Sequence, residues 1–270
     1  MLGHLNSSLD SRWTAVGQCL DIFERSHVAL RSLSLCAGFG GIELGLEAAG
    51  VSVRPVCFVE REGYAAANLV ALMEAGEMAQ APIWSELETF NGRAWRGAVD
   101  CVLAGWPCQP FSTASRGRRV APDLWPHVAR IVGECRAPIV FLENVASSPV
   151  ERAGRDLAAM GYDAAIGRLS SAAVGAPHRR DRWWLLAHYY GARELLQSVH
   201  DEMARVSASS FAHWWSAPRP ELVGMDDGTA SGAHRLRLLG NGVVPAQAGL
   251  AFVLLDQRLA EKVDAPEALR

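Results

Sequence analysis

The chain is almost without lysine: Lys262 is the single one among 270 residues, and every other permanent positive charge is an arginine. The formal net charge is −3. A chain-wide basic field for nucleic acid is thereby excluded, and any contact with a polyanion must be local. No apolar run approaches the roughly 18 residues that a membrane span needs, and no signal-peptide pattern is present. The six cysteines, Cys19, Cys36, Cys57, Cys101, Cys108 and Cys135, contain no C-x-x-C pair and match no zinc spacing. Neither an internal repeat nor a low-complexity tract is present. These absences predict a reduced, cytoplasmic protein with no metal and no membrane contact.

Half of the chain is hydrophobic and a fifth is charged, the balance of a folded globular domain. From residue 31 a strand–turn–helix rhythm sets in. Leu33-Ser34-Leu35-Cys36 reads as a strand, Ala37-Gly38-Phe39-Gly40-Gly41 as a tight turn, and Ile42 to Ala49 as a helix that Gly50 ends. Val51 to Val59 reads as a strand ending in Glu60, followed by a helix over 62–75 and a segment from Pro82 to Phe90. Strands over Val99 to Ala104 and Pro138 to Leu142 bracket a helix from Leu124 to Cys135. A helix over 150–160, strands near 163–170 and 182–188, and a helix from Pro245 to about Leu259 follow. Such alternation predicts an α/β fold: a mainly parallel sheet with helices on both faces. Residues 1–30 form a weakly amphipathic lead-in. Residues 190–236, rich in Ser, Ala, His and Pro, break the rhythm and carry the pair Trp214-Trp215.

Four constellations sit at the ends of strands. The first is Gly105-Trp106-Pro107-Cys108-Gln109-Pro110-Phe111-Ser112. A free cysteine is ordinarily a small buried apolar residue. Here two prolines stiffen the loop around Cys108 at the carboxyl end of a strand, where α/β sheets collect ligands and chemistry. The second is the Gly38-Phe39-Gly40-Gly41 turn with Glu60, twenty residues after Gly40 at the end of the next strand. That is where an acid holds ribose hydroxyls in nucleoside-binding folds. Glu43 stands where the dinucleotide fingerprint has its third glycine, which favours S-adenosylmethionine over a dinucleotide. The third is Phe141-Leu142-Glu143-Asn144-Val145: a carboxylate at the end of a buried strand is desolvated and can hold a proton near neutrality. The fourth joins His178-Arg179-Arg180-Asp181-Arg182, whose Arg180 and Arg182 alternate onto one side, to Gly240-Asn241-Gly242-Val243-Val244-Pro245, a turn opening a helix.

In this order the motifs resemble those of the DNA cytosine-5 methyltransferases of the compact phage and bacterial type. The resemblance covers residues 32–188 and about 221–255. It implies a Rossmann-like, S-adenosylmethionine-dependent fold and transfer of a methyl group to carbon 5 of a flipped-out cytosine in duplex DNA. Cys108 would be the nucleophile at carbon 6, Glu143 the acid at ring N3, and Arg180 and Arg182 the holders of the base. The cofactor would lie among Cys36, Ala37, Gly38, Phe39, Gly40, Gly41, Glu60, Arg61, Ser85, Glu86, Gly105, Pro107, Asn241 and Gly242. DNA would be met by Gln109, Ser112, Arg116, Arg118, Arg119, Arg179, Trp214, Trp215, Arg235 and Arg237.

The resemblance also divides the chain. Residues 1–30 become an N-terminal extension, 31–188 the catalytic and cofactor-binding domain, and 189–236 a much reduced target-recognition region. Residues 237–262 would complete the catalytic domain and 263–270 form a tail. The implied setting is the bacterial cytoplasm or nucleoid, or a phage-infected host, for a monomer with a cognate restriction endonuclease as possible partner. Four positions depart from the pattern. His178 replaces a glutamine, Cys36 a phenylalanine, Arg61 an apolar residue that stacks on adenine, and Ser85 an aspartate that reads the adenine amine, with Glu86 beside it. Two alternatives carry the same motifs: a transfer-RNA cytosine-5 methyltransferase, and a catalytically inactive relative that binds adenosylmethionine or DNA.

Overall fold

The computed structural model describes residues 29–107, 122–189 and 242–264. Their strands form one seven-stranded sheet in the order β3-β2-β1-β4-β5-β7-β6. The strands are β1 (Leu30–Leu35), β2 (Val53–Val59), β3 (Ile83–Trp84), β4 (Cys101–Gly105), β5 (Ile139–Asn144), β6 (Tyr162–Ser170) and β7 (Asp181–Tyr189). Five helices cover it: α1 (Gly41–Ala48), α2 (Gly63–Glu74), α3 (Trp125–Cys135), α4 (Ser147–Ala159) and α5 (Pro245–Asp264).

The central strands β4 and β5 are apolar at nearly every position because both of their faces are covered. Every residue of β5 is buried. On one face Leu30, Leu103, Ile139 and Phe141 pack with Leu46 of α1 and Phe252 of α5. On the other, Leu33, Leu35, Val102, Val140 and Leu142 pack with Val128 of α3 and Leu157 of α4. Alternation along each strand thus feeds two separate cores.

The sheet is mainly parallel, as the rhythm predicts. Strand β7 is the exception, antiparallel to both β5 and β6. The link from β6 to β7 is a 3-10 turn, Ser171–Val174, and a short loop, too short for a crossover helix. The long crossover through α4 therefore carries β6 to the sheet edge, and β7 returns between β6 and β5.

Several boundaries differ from those the sequence suggests. Leu30 is not part of an extension: it begins β1 and pairs with Val53. Cys36 lies outside the strand, with φ 52°, in the left-handed region. Helix α4 begins at Ser147, before Pro149, since proline is tolerated in a first turn and does not mark a boundary there. Tyr189 still belongs to β7, and α5 runs to Asp264, past the expected helix end near Leu259 and the expected domain end at residue 262.

Glycine decides how α1 and α5 meet. A Cβ on Gly45 would lie 2.3 Å from the carbonyl oxygen of Pro245 and 2.9 Å from Cβ of Ala248. Both obstacles are backbone or stub atoms that cannot swing away. Gly45→Ala is expected to destabilise the protein by about 1–3 kcal/mol, the usual range for overpacking. Urea denaturation checks this, and an unchanged midpoint would show that the two helices can part without penalty.

Candidate active site

A cavity of about 650 Å3 opens at the carboxyl edge of β1, β2 and β4. Its wall includes Cys36, Gly38, Glu60, Arg61, Glu62, Ser85, Leu87, Glu88, Gly105, Pro107, Leu124 and Gly242. A smaller chamber of about 40 Å3 adjoins the turn and touches Ala37, Phe39, Gly41, Gly105, Glu143 and Gly242. Parallel strands bring this about: β1, β2 and β4 all end on one side, and each end turns into a loop there.

The Gly-rich turn and Glu60 form one unit. Gly38 and Gly40 have φ 58° and 79°, so with Cys36 the turn holds three left-handed residues within five positions. The Gly38 N–H donates to Glu60 Oε2 at 2.7 Å, and the Glu62 N–H donates to Oε1, also at 2.7 Å. The carboxyl is pinned at both oxygens, and each keeps a further lone pair for a hydroxyl donor. Burial outweighs these bonds and raises its pKa above the usual carboxylate value. A Cβ on Gly38 would meet no protein atom within 4 Å, since that side faces open space.

Glu143, the last residue but one of β5, lies directly opposite Gly105 of β4. A Cβ on Gly105 would lie 3.4 Å from Glu143 Oε2, so glycine there leaves the carboxyl accessible from the cavity. The side chain is buried, and Arg182 Nε forms an ion pair with Oε1 at 2.8 Å. Desolvation nonetheless dominates: it pushes the carboxyl up to about 7, against the opposing pull of Arg182 and Arg180. Asn144 beside it donates from Nδ2 to the carbonyl of Trp106 at 3.1 Å and so fixes the chain just before Pro107.

The two arginines have different partners. Arg182 faces Glu143, whereas Arg180 Nη2 donates to the carbonyl of Gly242 at 2.6 Å. Alternation puts both on one side of β7, but the closing segment captures the first of them. Arg179 is exposed, 3.5 Å from Asp181 Oδ2.

Cys36 lines the cavity but is no rival nucleophile. Desolvation, then Glu60 and Glu88, push its thiol up to about 12. Arg61 and Ser85 also line the cavity; Glu86 does not, and its carbonyl accepts from Trp84 Nε1. Gly40 packs inward, where a Cβ would meet Met78 Cε at 2.4 Å. Glu43 is buried beside Ser34, and desolvation raises its pKa, so the residue replacing the third glycine belongs to the core. Cys108, Gln109, Ser112, Arg116, Arg118, Arg119, Trp214, Trp215, Arg235, Arg237 and Asn241 lie outside the described residues.

Sequence reasoning missed Arg130. From α3 it donates to the carbonyls of Leu87, Glu88 and Phe90 at 3.1, 3.2 and 2.9 Å, and to Glu134 at 2.9 Å. It thereby holds the Leu87–Glu88 wall of the cavity. In sequence, Arg130 and Glu134 read as an ordinary surface pair four residues apart.

The family model for C-5 cytosine-specific DNA methylases matches residues 30–209. The chain belongs to this family. Among its relatives is the type II methyltransferase M.CviJI of Paramecium bursaria Chlorella virus IL3A, 28% identical over 83% of this chain and 59% of the relative. Another is the type II methyltransferase M.NgoMIV of Neisseria gonorrhoeae, 29% identical over 79% of this chain and 67% of the relative. The chain thus spans less than two thirds of the viral enzyme's length. The crystal structure of the S. pombe Dnmt2 methyltransferase aligns with a TM-score of 0.48 and 21% identity, over 60% of this chain and 50% of that one.

The family is dependent on S-adenosylmethionine. The residues present in this methylase-family chain fit that group: a carboxylate pinned at both oxygens with lone pairs to spare, a turn open at Gly38, and an apolar wall at Leu87 and Leu124. Among the described residues no helix is long and apolar enough to cross a membrane, and none form a candidate metal cluster.

The position of Glu143 has a consequence for stability. Its folded pKa, about 7, lies above the ordinary 4.5. Below pH 4.5 both folded and unfolded states hold the proton. As pH rises toward 7 only the unfolded state releases it, so stability falls across this window, by on the order of 3 kcal/mol, and then levels off. Glu143→Gln is expected to remove this fall. Parallel slopes for both proteins in urea titrations from pH 4 to 8 would show that burial does not raise the carboxyl. For Glu60, replacement by Ala is expected to weaken adenosylmethionine or adenosylhomocysteine binding by at least tenfold in calorimetry, the scale of one charge-assisted bond. Unchanged affinity would place the ribose elsewhere.

Proposed function

We propose that the protein transfers a methyl group from S-adenosylmethionine to carbon 5 of a flipped-out cytosine in duplex DNA, through a covalent adduct of Cys108. The observation that carries this reading is Glu143. It is a buried carboxyl poised near neutrality beside Arg182, one strand from the loop that Pro107 opens, on the wall of the small chamber that adjoins the larger cavity suited to a nucleoside.

Carbon 5 of cytosine is too electron-poor to react directly. The thiolate of Cys108 adds to carbon 6, and the pair of electrons displaced toward ring N3 meets the proton of Glu143. Carbon 5 then has enamine character. Arg182 holds Glu143 and, on this reading, meets the base O2 together with Arg180, stabilising the charge that develops on the ring. S-Adenosylmethionine, when bound, supplies an electrophilic sulfonium methyl. Once carbon 5 carries the methyl, its proton is lost to water and Cys108 departs as the thiolate, which restores the aromatic ring, and N3 returns its proton to Glu143.

The cofactor reading uses Glu60 for the ribose hydroxyls, the Cys36–Gly41 turn for the methionine end, and Arg61, Ser85 and Leu87 around the adenine. On the DNA side, Gln109, Ser112, Arg116, Arg118 and Arg119 belong to the Cys108 loop. Trp214, Trp215, Arg235 and Arg237 belong to the reduced recognition region of residues 189–236. With so little chain for base-edge readout, phosphate contacts supply most of the affinity and the target is short. The catalytic domain on this reading runs from Leu30 to Tyr189 and is completed by the closing segment through α5.

The test combines bisulfite sequencing of DNA from cells expressing the protein with purified Cys108→Ala. We expect 5-methylcytosine in a short sequence context, its loss in the variant, and a covalent adduct between the wild type and duplex DNA carrying 5-fluorocytosine. Retained transfer by Cys108→Ala, or methylation of transfer RNA but not DNA, would overturn the reading.

A further inference from the structure

Gln247, on the third residue of α5, is wholly buried. Its neighbours along the helix, Ala246 and Ala248, are small and apolar, and a polar amide is not required to fill the site. Its Nε2 donates to two main-chain carbonyls, those of Leu169 at 2.7 Å and Arg180 at 2.9 Å. These belong to the end of β6 and the approach to β7. Its Oε1 meets no partner among the described residues. Burying an amide with one end unsatisfied is unfavourable, and residues that break a local rule in this way commonly serve a site.

The same closing segment holds Arg180 a second time. Gly242, five residues earlier, accepts from the Arg180 guanidinium at 2.6 Å. The Arg180 carbonyl also receives the Ser171 N–H at 3.0 Å. Arg180 is therefore tied at its side chain and its backbone. Two residues on, Arg182 Nε stands 2.8 Å from Glu143 Oε1. Among the described residues, the charged groups acting on Glu143 are these two arginines of β7 and its approach. Gly105 from β4, and Gly242 and Val243 from the closing segment, bring none.

We infer that Gln247 is a positioning residue for the catalytic acid: by fixing the approach to β7 it sets how closely Arg180 and Arg182 stand to Glu143, and so the pH range over which Glu143 holds its proton. The inference rests on the proposed role of Glu143 and extends it to a residue that touches neither base nor cofactor. Glu143 sits in a low-dielectric pocket, where a small retreat of a guanidinium changes the balance between ion pairing and desolvation. Without the two bonds from Gln247 the approach to β7 keeps the Ser171 and Gly242 bonds, the Arg168–Asp181 ion pair and its ladder, but it loses its tie to α5, and Arg182 gains room to shift from Glu143.

The experiment follows the Glu143 carboxyl carbon by 13C NMR in protein labelled at glutamate, its signal assigned by absence in Glu143→Gln. Gln247→Met keeps the volume and removes both donors. Its titration midpoint is expected to move up by about one unit, the lower end of what one nearby opposite charge contributes. The pH dependence of single-turnover methyl transfer should move in the same sense. An unchanged midpoint in folded Gln247→Met would overturn the inference. If that variant does not fold, Gln247→Asn, too short to span both carbonyls, should show the same upward direction, and no shift there would equally overturn it. The titration needs neither DNA nor turnover, so it decides this point even if the wild type transferred no methyl group to DNA.

Discussion

The structure depends on how one carboxyl group is kept out of water. Glu143 is placed by β5, which is buried along its whole length between two cores. Phe141, two residues earlier on the same side, stacks on Trp184 with ring centroids 5.3 Å apart and meets Phe252 of α5 edge-on at 5.1 Å. Trp184 is in turn the cross-strand partner of Glu143. The aromatic stack excludes solvent from beneath the acid, and β7 delivers Arg182 to its side. Desolvation and ion pairing then oppose each other, and the group settles near neutrality. Neither alone would do: an isolated carboxyl at this depth would hold its proton too firmly, and a well-solvated pair would not hold it at all.

The cofactor side follows the same economy of placement. The Gly38 turn and Glu60 come from adjacent parallel strands, β1 and β2, and a direct bond ties one to the other. Gly38 and Gly40 take their left-handed conformations freely, but Cys36, with φ 52°, does not, and such a position persists only where its surroundings over-determine it. Glu60 supplies part of that determination while keeping lone pairs for a ligand. Across the cavity, Arg130 gathers three carbonyls of the 87–90 segment onto α3. The wall contributed by Leu87 and Glu88, although irregular in backbone, is therefore held by a helix.

Much of this was legible in the residues themselves. Period-two and period-3.6 apolar patterns, broken by glycine and proline, carry the α/β class and most of the elements, because the chain must bury both faces of the central strands. The ordered motifs around Gly38, Cys108, Glu143, Arg180 and Gly242 pointed to the family to which the chain belongs. Glu143 as a raised acid was also legible: a carboxylate at the end of an apolar run is desolvated whatever the details of packing. Boundaries were less so. The helix expected over 150–160 begins at Ser147 instead, because Pro149 falls in its first turn, where a proline removes no hydrogen bond.

What sequence alone determined about this protein is thus its local periodicity, its turn chemistry and the set of reactive side chains, all properties of short stretches. Only the tertiary structure decided the partners. Strand β7 runs antiparallel between β5 and β6 because its connection is too short to cross over, and this puts Arg182 against Glu143. Arg180, on the same side of the same stretch, turns instead to the carbonyl of Gly242, sixty-two residues away. Arg130 and Gln247 looked like a surface charge and a helix polar residue, and became struts because carbonyls from distant segments arrive within their reach. Main-chain carbonyls are identical in every residue, so nothing in the sequence marks which of them a side chain will find; only the fold brings them together.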